Sequence, residues 1–183
     1  MALTNKFNRT TTAKPQSRAS RYAGIQAAAP RNPYPHVGQY VFEIVSCEEG
    51  HNPGKGVESF KVEFKVVDLD ERAAAHHAVG DVVFMSQRIA GSGSAVGLSR
   101  VKAFCMAVAG YDDEEAYDEF SPNGEFIDAC VGAANAYSAD GNPAVGTQVA
   151  CMVGRGNSIP DSDDYYREYA WAPEHEPLAK PAA

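Results

Sequence analysis

The sequence predicts a mainly β domain with helical insertions, built on five antiparallel strands. Three observations carry this. Short runs alternate apolar and polar residues with period two, clusters of glycine and proline separate them, and a segment of helical spacing falls between the third and fourth runs. With 44% hydrophobic and 22% charged residues, the 183-residue chain can bury a core.

The first strand is expected over 38–47, where Tyr40, Val41, Phe42, Ile44 and Val45 supply aromatic and β-branched side chains. Residues 51–56 carry a turn signal of one proline and two glycines, and 57–68 alternates back as strand two. There Phe60, Val62, Phe64 and Val66 share one face, and Ser59, Lys61, Glu63 and Lys65 the other. A connector with a short helical turn over 69–80 leads to strand three at 81–89, which is expected to bury Phe84 along with Phe60 and Phe64. After a loop at 91–94, a helix is expected over 99–109, with Val101, Phe104, Cys105 and Val108 on one stripe and Gly110 as its stop. Helical turns follow at 112–117, behind a run of acids, and at 125–136. A turn at 140–143 precedes strand four at 147–153; 154–164 reads as a polar loop, and strand five runs over 165–171. The domain is thus expected over 36–173, between an N-terminal arm at 1–35 and a C-terminal tail at 174–183.

The formal net charge is −8, unevenly placed. No acid precedes Glu43, whereas Lys6, Arg9, Lys14, Arg18, Arg21 and Arg31 do. A basic arm on an acidic body suits an interaction tail, and equally a solvated leader. No apolar stretch approaches the ~18 residues of a membrane helix, and the first residues are too polar for a signal peptide, so a cytoplasmic protein is expected.

Catalytic and metal motifs are weak. Cys47, Cys105, Cys130 and Cys151 are widely spaced in apolar contexts, as reduced buried thiols would be. His76 and His77 are adjacent, so their side chains diverge, and no regular metal or calcium spacing accompanies them or Asp161, Asp163 and Asp164. Gly91, Gly93 and Gly97 could let a backbone approach a phosphate, but they lie between antiparallel elements and no lysine follows; a strand-to-helix loop explains them better. No catalytic residue, metal or cofactor is expected.

The cations and aromatics of the strand region say more. Single strands of nucleic acid are held by stacking on rings while Lys and Arg neutralise phosphates. Lys61 and Lys65 share a strand face, Arg88 ends strand three, Lys55 and Arg155 lie in or beside turns, and Tyr165, Arg167 and Tyr169 share a face with Trp171. Ordinary core and surface roles compete with this reading.

The order of three strands, a helical segment and two strands is that of an OB-fold, a five-stranded antiparallel Greek-key barrel. Residues 38–173 resemble bacteriophage OB-fold single-stranded DNA-binding proteins. The resemblance rests on Tyr40-x-Phe42 in strand one, Phe60-x-Val62-x-Phe64-x-Val66 in strand two, Val79-Gly80-Asp81 before strand three, Lys102-Ala-Phe104 in the helix, Gly146-x-x-Val149, and Tyr169-Ala-Trp171-Ala-Pro173. It implies a non-catalytic protein that coats single-stranded DNA in phage replication or recombination, in the host-cell cytoplasm. Its partners would be the strand, replication or recombination proteins and further copies of itself. The DNA-binding residues would be Lys55, Lys61, Lys65, Arg88, Arg155, Tyr165, Arg167 and Tyr169. The alternative is a virion structural or assembly protein whose basic arm reaches a neighbouring subunit.

Overall fold

The computed structural model describes residues 33–52, 56–91, 94–160 and 163–181. Lys55 and nearly all of the basic arm lie outside the described residues.

Five strands form one antiparallel sheet: β1 (Gly38–Asn52), β2 (Val57–Leu69), β3 (Val82–Arg88), β4 (Gln148–Ser158) and β5 (Tyr165–Pro173). Their order is β3-β2-β1-β4-β5. β1 is the central strand. It pairs with β2 over nearly its whole length, and with β4 from Gly38 to Glu43. The alternation in β2 sets its register as expected: Phe60, Val62, Phe64 and Val66 are buried, and Lys61, Glu63 and Lys65 face outward.

The sheet is open. Among the described residues no strand pairing joins β3 to β5, so the closed barrel expected from the sequence is not formed. The two edges are instead held apart by segment 33–36. The Phe84 N–H donates to Pro33 O at 3.1 Å on the β3 side, and Arg167 Nε–H donates to Pro35 O at 3.3 Å on the β5 side. The Tyr34 ring fills the space between them, 4.1 Å from the Phe84 ring centroid, with the Arg167 guanidinium 5.1 Å over its face. Phe84 therefore sits on the face opposite Val83 and Met85, covered by Tyr34 rather than in the core.

Among the described residues, α1 (Glu71–Ala74) packs against β1, α2 (Ser94–Ala109) covers the inner face of the sheet, and α3 (Glu114–Phe120) and α4 (Glu125–Cys130) pack on α2. The expected stripe of α2 is the buried one, and Phe104 stands edge-on to Phe60, Phe64 and Trp171 at 5.9, 5.9 and 5.1 Å. Gly97 lets α2 lie directly on β3, because a Cβ there would fall 1.7 Å from Arg88 O. Lys102 ties α2 to α3 through Glu114 and Asp118, at 2.6 and 2.7 Å. α4 ends earlier than expected because Gly132 adopts a left-handed φ of 93°.

The C-terminal segment docks on the end of α2. Leu178 N–H donates to Ala109 O, and the His175 ring contacts Val108 O at 3.0 Å. These satisfy carbonyls that a helix end leaves without partners.

Candidate nucleic-acid interface

Where the β3 and β5 edges part, the N-terminal end of α2 forms the third wall of a cleft of about 430 Å³. β3 contributes Ser86, Gln87 and Arg88; α2 contributes Val96, Gly97 and Arg100; β5 contributes Tyr165, Tyr166, Arg167 and Tyr169; Tyr34 contributes its ring.

Arg155 borders this cleft from β4. It is the register partner of Arg167, and its guanidinium stacks 4.3 Å over the Tyr165 ring. Arg167 lies 5.1 Å from the same ring. Three guanidiniums (Arg88, Arg100 and Arg167) thus share the cleft with four tyrosines (Tyr34, Tyr165, Tyr166 and Tyr169), and a fourth, Arg155, stands at its border. Asp164 is the acid that lines the cleft, paired with Arg167 at 3.1 Å. The Tyr165 N–H and the Arg167 guanidinium hold its carboxyl below the usual range.

Arg167 both braces and charges the cleft. Its side chain is 12% exposed, and its N–H groups reach Pro35 O, Asp164 and Tyr165 O. Tyr169 lies parallel to Trp171 with centroids 5.6 Å apart, and burial raises its phenol pKa. Its ring is therefore a partly buried wall of the cleft. Tyr34 and Tyr166 are more open, at 39% and 54% exposure.

A histidine cluster anchors the far end of segment 33–36. His36 N–H donates to His77 Nε2 at 3.2 Å, Tyr40 Oη–H donates to His36 O at 2.8 Å, and the His36 and His76 rings stack at 4.0 Å. His77 Nε2 is the acceptor of that first bond, and its Nδ1 faces Asp81 at 3.8 Å. Burial lowers the pKa of His77 and of His36, and pushes that of Tyr40 up to about 12. Among the described residues no group of three or more His, Cys, Asp or Glu side chains is arranged to hold a metal.

Of the residues expected to bind nucleic acid, the fold brings Arg88, Tyr165, Arg167 and Tyr169 into the cleft and Arg155 to its border. Lys61 and Lys65 are not brought there. They stand on the outer face of β2, Lys61 paired with Glu48 at 3.4 Å and Lys65 opposite Glu43. Sequence reasoning missed Tyr34, Arg100, Tyr166 and Gln87. Tyr34 was hidden in a proline-rich lead-in, Arg100 on the polar side of the expected helix, and Gln87 beside Ser86 and Arg88 at the polar end of strand three.

All four cysteines are buried and unpaired. Among the described residues no helix is long and apolar enough to cross a membrane. No protein-family model matches this chain, and no curated protein sequence matches it.

Proposed function

We propose that this protein binds single-stranded DNA without catalysis, in phage replication or recombination, and that the arginine–tyrosine cleft holds the strand. One observation carries the reading: three guanidiniums and four tyrosines line a cleft, with a fourth guanidinium, Arg155, at its border, in an otherwise acidic domain. Guanidiniums neutralise phosphates and stack on bases, and tyrosine faces accept bases of any sequence. The strand order adds support. Joining the two free edges, β3 to β5, would close the five strands into a barrel of the OB type, and the cleft lies at that seam.

The test is fluorescence anisotropy of labelled oligo-dT titrated with protein at several salt concentrations. Four phosphate contacts on a single strand give a log–log salt slope of about −3. Replacing Arg100 and Arg155 with Ala should weaken binding and cut the slope by about 1.4. Lys61→Glu with Lys65→Glu is the comparison. A larger loss in that variant than in the cleft variant would move the site to the β2 face. No binding at low salt would sink the reading and turn attention to subunit assembly, measured by sedimentation.

A further inference from the structure

We infer that Gln87 reads the edge of a nucleobase inserted into the cleft, so that the site takes a base as well as phosphates. The inference rests on the strand-binding reading and adds a specific contact to it.

Gln87 continues the inner stripe of β3. Val83 and Met85 precede it, both fully buried, and Phe60 is its register partner on β2. The stripe thus changes from apolar to polar at its last position, where the cleft opens. Gln87 is 7% exposed and lines the cleft, and its amide, which has no hydrogen-bond partner among the described residues, is open to the cleft rather than fully buried. The side chain is thus held in place by packing while its amide is left facing the cleft. Among the described residues, the fully buried side-chain polar atoms without a partner are Tyr117 Oη and Trp171 Nε1. Both end aromatic side chains whose rings pack the core, and neither lines this cleft.

The chemistry of the amide selects the ligand. It offers two N–H donors beside a carbonyl acceptor. A phosphate accepts only, so it would leave the carbonyl unpaired, and the arginines already serve it. A base edge presents a donor next to an acceptor and can satisfy both ends at once, as side-chain amides do with bases elsewhere. The neighbouring rings of Tyr34 and Tyr169 and the guanidiniums supply the stacking surfaces that an unstacked base needs.

The test uses the full chain and two labelled strands of equal length, oligo-dT and an abasic deoxyribose–phosphate strand, with Gln87→Met as the variant. The wild type should favour oligo-dT. Gln87→Met should lose about tenfold in oligo-dT affinity and nothing on the abasic strand. Its melting temperature should stay level, since the exchange removes no hydrogen bond found among the described residues. Unchanged oligo-dT affinity in the variant overturns the inference, as does an equal loss on both strands or a variant that fails to fold. If the wild type binds both strands equally, base reading fails while strand binding stands. If it binds neither, the strand-binding reading itself has failed.

Discussion

Gly97→Ala is expected to destabilise the protein although it favours the helix. In a free helix the change would gain about 1 kcal/mol. Here the new Cβ would lie 1.7 Å from Arg88 O and 2.8 Å from Arg88 C, whereas real Cβ contacts essentially never fall below 3.0 Å. The obstacle is strand backbone, which cannot rotate aside as a side chain can. α2 must therefore lift from β3 by more than 1 Å, and a gap of that size forfeits up to about half of each dispersion contact. The helix buries Val101, Phe104, Cys105 and Val108 through that interface. Overpacking of this kind costs about 1–3 kcal/mol or more, and a clash with backbone belongs at the upper end. The net loss is about 2 kcal/mol, and the melting temperature should fall by roughly 4–8 °C for a domain of this size. Thermal unfolding followed by circular dichroism reads this directly. The same displacement widens the cleft between Gly97 and Arg88, so oligo-dT affinity should fall with stability. A melting temperature equal to the wild type or above it would refute the argument that the glycine is there for close approach.

Two further outcomes follow from the buried titratable groups. Stability should be level between about pH 6.5 and pH 8 and decline as pH falls below that window, because His36 and His77 have lowered pKa values and the unfolded chain takes up their protons first. Urea midpoints at pH 7.5 and pH 5 should differ, His77→Gln should narrow the difference, and a flat profile in the wild type would contradict the neutral His77 acceptor. The four thiols should resist a disulfide reagent in the native protein and react together on unfolding, since burial holds Cys47, Cys105 and Cys151 above the usual thiol range. Fast reaction of even one thiol in the folded state would place it at the surface.

The strands were legible where burial imposes a period of two, and least legible where pairing overrides composition. β1 continues past Cys47 through Glu48, Glu49 and Gly50 because β2 runs beside it, with Glu48 opposite Lys61. β4 likewise runs through Gly154, Arg155 and Gly156, a stretch that reads as loop until Glu168 and Arg167 pair with it. α2 begins five residues before the expected start at 99, an onset hidden because Ser94 and Gly97 are poor helix formers in isolation; Gly97 is retained for the contact with β3. The site was half legible. The alternation of Tyr165, Arg167 and Tyr169 placed three members on one face, but only the fold brings Tyr34, Gln87 and Arg100 to the same cleft from three distant parts of the chain. Lys61 and Lys65 look identical in the sequence to cleft cations, and only their register with Glu48 and Glu43 sets them apart.

The strand order also sets a timetable for folding. β1 meets β2 across a short turn, and β3 can join soon after, so half of the sheet can form from local contacts. The other edge of β1 waits for β4: Phe42 stands opposite Val149, and α2, α3 and α4 must be synthesised in between. Trp171, which closes over Phe42, Phe64 and Phe104, arrives later still. Until then a three-stranded sheet presents Phe42, Phe60 and Phe64 to solvent beside an unpaired central edge. Such an intermediate is slow to mature and prone to self-association. Yield during expression is therefore governed less by the stability of the finished domain than by how long that half-sheet persists, and substitutions in β4 and β5 should affect soluble yield more than their effect on melting temperature suggests.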